Sequence, residues 1–274
     1  MPELPEVETN ARNLARWAVG RKILSASAPP ATRELGGLSR RAFVRRLVGH
    51  KVEAVTRRGK WILVRLSGGD ALGLHLGMTG KISNVRGQRF TRAAFELDDG
   101  TVVGFVDSRR FGRLIAARWD DLVARPEIRR VGPDALTELD ADGLAAALAR
   151  TRRTVKEALL DQALLAGVGN LYATEALWRA KIHPATPAHR VAVDGKRVRG
   201  LLAAIRAALR HGLRTYQRED IPEYIEEGAP NPFHAYDRAG RPCHRCGTLL
   251  QTMTIGGRSS AFCPHCQKLR QEVP

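Results

Sequence analysis

All four cysteines of the chain fall in its last 32 residues, as Cys243-His244-Arg245-Cys246 and, after sixteen intervening residues, Cys263-Pro264-His265-Cys266. Nothing else in the sequence restricts the fold so tightly. Two C-x2-C knuckles at that separation can place four thiolates tetrahedrally around one zinc ion, and a tail of about 40 residues cannot bury a stable core without some such staple. Two disulfides or four free thiols are the alternatives, and a reducing cytosol suits neither. Cys243, Cys246, Cys263 and Cys266 are therefore expected to hold one structural zinc ion. Four thiolates leave no position open for water, so this ion is not expected to be a catalyst, and no other pattern calls for a catalytic metal or an organic cofactor. Between the knuckles lie Thr252, Thr254, Gly256, Gly257, Arg258, Ser259 and Ser260. Their spacing leaves two readings open: a flexible loop that brings one guanidinium to a phosphate, or a polar hairpin tip with a solvated Arg258.

Upstream the pattern changes twice. From about residue 22 to residue 118, short β-like runs (51–55, 61–66, 71–76, 94–97, 101–106 and 113–117) alternate with turn signals such as Ser67-Gly68-Gly69-Asp70 and Asp98-Asp99-Gly100. A spacing of about ten residues suggests a sandwich or barrel. A helix precedes them, because Leu4, Val7, Ala11, Leu14 and Ala18 recur at steps of three and four and Pro5 with Glu6 suits a first turn. After Pro126 the segments 140–150, 154–165, 170–181 and 195–211 are rich in Ala and Leu at helical spacing, broken at Gly167-Val168-Gly169-Asn170 and at Pro184 and Pro187. Near Gly228 the chain turns irregular and leads into the knuckles. The expectation is an α+β multidomain protein: a β-rich domain over 1–124, a helical domain over 125–227 and a zinc-stapled end over 228–274.

Charge narrows the partners. Lys and Arg number 45 against 28 Asp and Glu, a formal net charge of +17, which favours polyanions through counterion release. The balance of 37 Arg to 8 Lys is also what a GC-rich genome would produce, so charge alone does not decide for nucleic acid. No window approaches the roughly 18 apolar residues of a membrane-spanning helix. The acidic, proline-punctuated start Met1-Pro2-Glu3-Leu4-Pro5 is unlike a secretory signal, so no membrane association and a cytoplasmic location are expected.

That start has a chemistry of its own. A small residue after Met favours removal of the initiator, which would leave Pro2 as a terminal secondary amine, far less basic than Lys. Such an amine can attack a carbonyl-level carbon and give an iminium, and Glu3 could serve beside it as a general acid. Taken singly, Pro2 reads first as an ordinary terminus and Glu3 as a first-turn acid.

Five stretches, taken together, end this independence: Met1-Pro2-Glu3-Leu4-Pro5-Glu6-Val7-Glu8, His75-Leu76-Gly77-Met78-Thr79-Gly80, Asp107-Ser108-Arg109-Arg110-Phe111-Gly112, residues 156–162 with 167–173, and the cysteine knuckles. In this order they resemble the formamidopyrimidine-DNA glycosylases, bacterial enzymes that remove oxidised bases. The resemblance runs from residue 1 to about residue 268.

It implies an N-terminal β-sandwich, a helix-two-turn-helix domain and a C-terminal zinc-finger β-hairpin, with damaged double-stranded DNA lying between the two halves of a monomer. It implies a bifunctional glycosylase and lyase in which Pro2 is the nucleophile at C1′, Glu3 the acid that assists ring opening and Lys60 a phosphate-contacting lysine on a β-hairpin. Met78, Arg109 and Phe111 match the residues that fill the hole left by a flipped-out base. Asn170, placed to cap a helix, and Arg258 match a clamp on the backbone at the lesion, with Arg153 and Lys156 adding phosphate contacts. Glu6 and Glu175 match acidic residues near the active site, in a supporting or a salt-bridging role.

Two departures bear on specificity. Where the family has a Gly-, Ser- and Thr-bearing loop that closes over 8-oxoguanine, residues 215–228 are acidic, a poor lid near phosphates. Where it commonly has a DNA-contacting His, this chain has Arg92. The altered loop admits an endonuclease VIII-like specificity for oxidised pyrimidines. A noncatalytic DNA-damage-binding protein on the same scaffold is the other alternative, and the intact Pro2, Glu3 and Lys60 argue against it.

Overall fold

The computed structural model describes residues 2–28, 34–216 and 231–269, so the acidic stretch expected to depart from the family loop lies almost wholly outside the described residues. The chain divides between Arg130 and Val131 into two compact units, and the described C-terminal residues belong with the second.

The first unit opens with α1 (Leu4–Ala18), which carries Pro5 in its first turn, where a missing N–H costs nothing. Its apolar stripe of Leu4, Val7, Ala11, Leu14 and Ala18 is buried. Then follow β1 (Ile23–Ser27), α2 (Arg40–Arg45), β2 (Val52–Arg58), β3 (Trp61–Leu66), β4 (Asp70–His75), β5 (Lys81–Ser83), β6 (Thr91–Leu97), β7 (Val102–Val106), β8 (Arg113–Arg118), α3 (Trp119–Ala124) and α4 (Pro126–Arg129). The strands form two four-stranded antiparallel sheets, ordered β1-β6-β7-β5 and β2-β3-β4-β8. Ile62, Val64, Leu72, Leu74 and Leu114 of one sheet share a core with Ile23, Ile82, Phe95, Val103 and Phe105 of the other and with α1. The alternate residues Trp61, Leu63, Ala71 and Ile115 meet Leu122 of α3 and Ile128 of α4. Strand β3 is thus buried on both faces, which explains its nearly unbroken apolar run.

The six β-like runs all became strands. The two that sequence patterning does not offer, β1 and β5, are the edges of their sheet. Strand β1 buries only Ile23 and β5 has three residues, too little for a period of two to register.

In the second unit, α5 (Ala141–Ala149) is capped by Asp140, whose carboxylate accepts the Gly143 amide at 2.7 Å. Next, α6 (Val155–Leu160) starts with a reciprocal Thr154–Glu157 capping box. The helix expected to reach residue 165 stops at Leu160, because Asp161 leaves helical geometry and takes the Ala163 amide on its side chain at 3.0 Å. Then come α7 (Asn170–Ala180), α8 (Ala188–Ala192) and α9 (Gly195–Tyr216), followed by the hairpin of β9 (Gln251–Ile255) and β10 (Arg258–Phe262). Among the described residues no helix is long and apolar enough to cross a membrane.

Candidate functional site

In the first unit, Pro2 is buried and Glu3 is the N-cap of α1. The Glu3 amide donates to the Glu6 carboxylate at 2.8 Å, so Glu6 fixes the backbone that presents its two predecessors. One turn later Glu8 accepts from Arg57 Nε at 2.7 Å, and Arg57 Nη1 donates to the Gly59 carbonyl at 3.1 Å. Burial pushes the Glu8 carboxyl up, but the Arg57 and Arg12 guanidinia outweigh it and hold the group below the usual range. Arg57 thereby ties α1 to the two-residue turn Gly59-Lys60, in which Gly59 has φ +56° as the first position of a tight hairpin requires. Half-buried Lys60 stands at the tip of that turn.

Across the β3–β4 pair, His75 lies opposite Trp61, with ring centroids 5.0 Å apart. Its Nδ1 accepts the Gly77 amide at 3.1 Å. Burial first, then the charges of Lys60 and Arg113, push its pKa down to about 4. It is a neutral imidazole beside the lysine.

Met78 and the pair Arg109 and Phe111 sit on the β4–β5 and β7–β8 loops, which the structure brings together. Met78 is 37% exposed and Phe111 is 47% exposed, and the Arg109 guanidinium lies 5.0 Å from the Phe111 ring centroid. Arg92 is committed to the second loop: its Nε donates to the Asp107 carbonyl at 2.7 Å and its Nη2 to the Ser108 carbonyl at 3.3 Å.

In the second unit, two expectations are corrected. Lys156, expected at a phosphate, is fully buried, with Nζ donating to the Asn170 carbonyl at 3.0 Å and to the Thr174 hydroxyl. A buried ammonium needs such acceptors, and these fix the first turn of α7 from inside. Asn170 is not the cap of α7 but its first helical residue; Gly169 is the cap. The Asn170 side-chain oxygen is buried and has no hydrogen-bond partner among the described residues. The turn before it is held by Gln162, whose carboxamide donates to the Val168 carbonyl at 2.7 Å and accepts the Gly167 amide at 3.0 Å. Arg153 is half-exposed and paired with Asp161 at 2.6 Å. Arg258 opens β10 beside the Gly256-Gly257 turn, and Gly256 lies so close to α6 that a Cβ there would come within 3.3 Å of Glu157. The hairpin tip and the α6–α7 corner are therefore neighbours, whereas Pro2, Glu3 and Lys60 belong to the other unit.

The four cysteine sulfurs lie within 4.8 Å of one another, with Cys246–Cys263 and Cys266–Cys246 at 3.5 Å. Tetrahedral Zn–S bonds of about 2.3 Å imply sulfur separations of roughly 3.8 Å, so an all-thiolate donor set of this size fits zinc. Cys243, Cys246, Cys263 and Cys266 would hold the ion as a structural staple. The finger docks on α7: Trp178 Nε1 donates to Cys243 Sγ at 3.5 Å, Arg245 Nη1 donates to the Trp178 carbonyl at 2.6 Å, and Gln267 Nε2 donates to the Ile182 carbonyl at 2.8 Å. Glu175, 1% exposed, accepts the amides of His234, Ala235 and Tyr236 at 2.7–3.0 Å. Burial raises its pKa, but these bonds and the His234 side chain prevail and hold it below the usual range. Glu175 is an anchor for the finger.

His75, Thr79 and Asp107 carry geometry that reading residues one at a time misses. Each lies inside a motif quoted for its neighbours; Thr79 and Asp107 are partners 28 residues apart, and His75 faces Trp61, 14 residues earlier.

Comparison with known proteins gives three consecutive matches: the formamidopyrimidine-DNA glycosylase N-terminal domain over residues 1–114, the formamidopyrimidine-DNA glycosylase H2TH domain over 131–220, and a zinc finger found in FPG and IleRS over 240–269. The chain is 41% identical over 281 residues to a formamidopyrimidine-DNA glycosylase of Acidothermus cellulolyticus, covering 97% of both chains. It is 39% identical over 280 residues to one of Roseiflexus sp., covering 98% of this chain and all of the other. Among solved structures, the MutM (Fpg) protein of Thermus thermophilus aligns with a TM-score of 0.83 at 34% identity over 97% of this chain and 98% of the other. The Lactococcus lactis Fpg in complex with a FAPY-dG containing DNA aligns with a TM-score of 0.85 at 27% identity over 97% of this chain and 100% of the other.

Proposed function

The chain belongs to the formamidopyrimidine-DNA glycosylase family, and on that premise we propose that it is a bifunctional DNA glycosylase and AP lyase of base-excision repair, acting as a cytoplasmic monomer on damaged double-stranded DNA. Three family domains in family order support the reading, and so does Pro2-Glu3 at the head of a helix that Arg57 ties to the Lys60 turn.

The chemistry begins once Met1 is removed. The Pro2 secondary amine attacks C1′ of the damaged nucleotide, the bond from C1′ to the base breaks, and the base leaves with the electron pair and a proton. Glu3 gives a proton to the ring oxygen, the sugar opens, and the Pro2 nitrogen lone pair completes an iminium. Loss of a C2′ proton then expels the 3′ phosphate, and a second proton loss along the conjugated system expels the 5′ phosphate. Hydrolysis of the iminium frees Pro2. Lys60 holds a phosphate and relays protons during elimination. Met78, Arg109 and Phe111 fill the gap left by the extruded nucleotide, an insertion that offsets unstacking of a few kcal/mol. Asn170 stands at a helix start where free amides suit a phosphate. Arg258 and Arg153 supply cations nearby. Lys156 supports this corner from within, and Arg92 acts through the Asp107 loop.

The test is borohydride trapping on duplexes that carry a formamidopyrimidine, 8-oxoguanine, thymine glycol or an abasic site. A covalent adduct on at least one duplex, abolished by Pro2→Gly, is expected. No adduct on any of the four would overturn the enzyme reading, and an adduct confined to thymine glycol and the abasic site would move the specificity to oxidised pyrimidines.

A further inference from the structure

The two loops that carry the exposed apolar side chains are bonded to each other through one buried carboxylate. Asp107 is 1% exposed. Its Oδ1 accepts the Thr79 hydroxyl at 2.6 Å and the Arg109 amide at 3.2 Å, and its Oδ2 accepts the Gly112 amide at 2.7 Å. The Thr79 oxygen also accepts the Arg109 amide at 3.2 Å, so this hydroxyl stands between the loops as donor and acceptor at once. The backbones touch as well: a Cβ on Gly77, at φ +64°, would lie 2.5 Å from the Phe111 carbonyl carbon and 2.6 Å from the Gly112 nitrogen. Arg92 braces the outer side by its bonds to the Asp107 and Ser108 carbonyls.

A buried carboxylate is costly unless donors surround it, and what it returns is a fixed geometry among those donors. Here the donors come from both loops, within two residues of Met78, Arg109 and Phe111. We infer that Asp107 is the positioning residue for gap filling: through Thr79, Arg109 and Gly112 it locks the Met78 loop and the Arg109–Phe111 loop into one body, so that the three side chains enter an opened duplex together. The inference rests on the reading of those three as gap fillers. Two independently moving loops would each have to be ordered on insertion; one preorganised wedge has already lost that freedom in the unbound protein. The gain falls only on DNA with a gap to fill. Asp107 therefore sets the preference for a gap over intact duplex and leaves general affinity for the polyanion alone.

The experiment uses the full-length, zinc-loaded protein and two probes, a duplex with a tetrahydrofuran abasic analogue opposite cytosine and the same duplex undamaged. The variants are Asp107→Asn, which turns one of its acceptors toward the Gly112 amide into a donor, and Thr79→Val, which removes only the bridging hydroxyl. Asp107→Asn should weaken binding to the gapped duplex roughly tenfold and Thr79→Val roughly threefold, with binding to the undamaged duplex unchanged. In the parent, Met78→Ala and Phe111→Ala should be non-additive on gap affinity, and in Asp107→Asn they should become additive. If the parent does not prefer the gap, the reading of the wedge and this inference both fall. If the parent prefers it and both variants keep that preference, or lose affinity for both duplexes equally, the inference alone is overturned.

Discussion

The sandwich of the first unit and the finger of the second are held together by different means. The first rests on a continuous apolar core shared by two sheets and α1, and its candidate functional side chains ride on loops and turns above that core. The finger has, among the described residues, a small buried cluster of Trp178, Ala235, Cys243, Leu250 and Cys263, two of which are zinc ligands. Its place on α7 depends on polar contacts from Glu175, Arg245 and Gln267. A sandwich keeps its shape through burial that no single residue controls. A finger is controlled by a few groups that can be titrated, chelated or substituted one at a time.

The largest test of that contrast is metal removal. Structural zinc in small fingers contributes on the order of 10 kcal/mol, so chelation or Cys246→Ser should strip amide-exchange protection from residues 231–269. Strands β2 to β4 should stay protected. Equal loss of protection in both units would erase the contrast.

A smaller effect is expected from Glu175→Gln, which keeps shape but removes the charge that three amides share. The loss should be about 3 kcal/mol, read as release of the 234–236 segment in amide exchange with zinc still bound. If the variant also releases zinc, anchoring and metal binding are one event.

The smallest effect distinguishes the units by pH. His75 is held down to about 4 from an ordinary 6.5, so between those values the unfolded chain binds a proton that the folded one refuses. Stability of the first unit should therefore rise with pH from about 4 to 6.5, by on the order of 2 kcal/mol after allowance for partial exposure. His75→Asn should flatten a plot of melting temperature against pH in that window. Glu175 acts with the same sign in a lower window: its carboxyl is held below the usual 4.5, so its contribution is complete above that pH and is lost only as pH falls through the folded value. Of these two groups, mild acid should reach His75 before the Glu175 anchor.

Much of this architecture was legible in order of residues because local signals agreed. The knuckles named their metal; β3, β4, β6, β7 and β8 each had enough buried length to show a pattern, and β2 had seven residues of strand in which to show one. The edge strands β1 and β5 did not. The candidate site was legible as identities but not as partners. The sequence shows Lys156 as a cation among cations, and only the fold reveals that Thr174 and the Asn170 carbonyl enclose it. Asn170 looked like a cap because it follows Gly169, and it fell one residue inside because Gly169 itself adopts the extended cap geometry. Asp107 reads as one more acid before two arginines; its meaning lies in Thr79, 28 positions earlier.

The contact between Trp178 and Cys243 has an optical consequence. Of the four tryptophans, Trp17, Trp61 and Trp119 belong to the first unit, and Trp178 alone belongs to the second, with its indole N–H on a metal-ligand sulfur. A chain in which the other three are replaced by Phe carries a single indole, set against the finger. Its emission intensity would follow loading of the thiolate cluster in real time, without label or chelating dye.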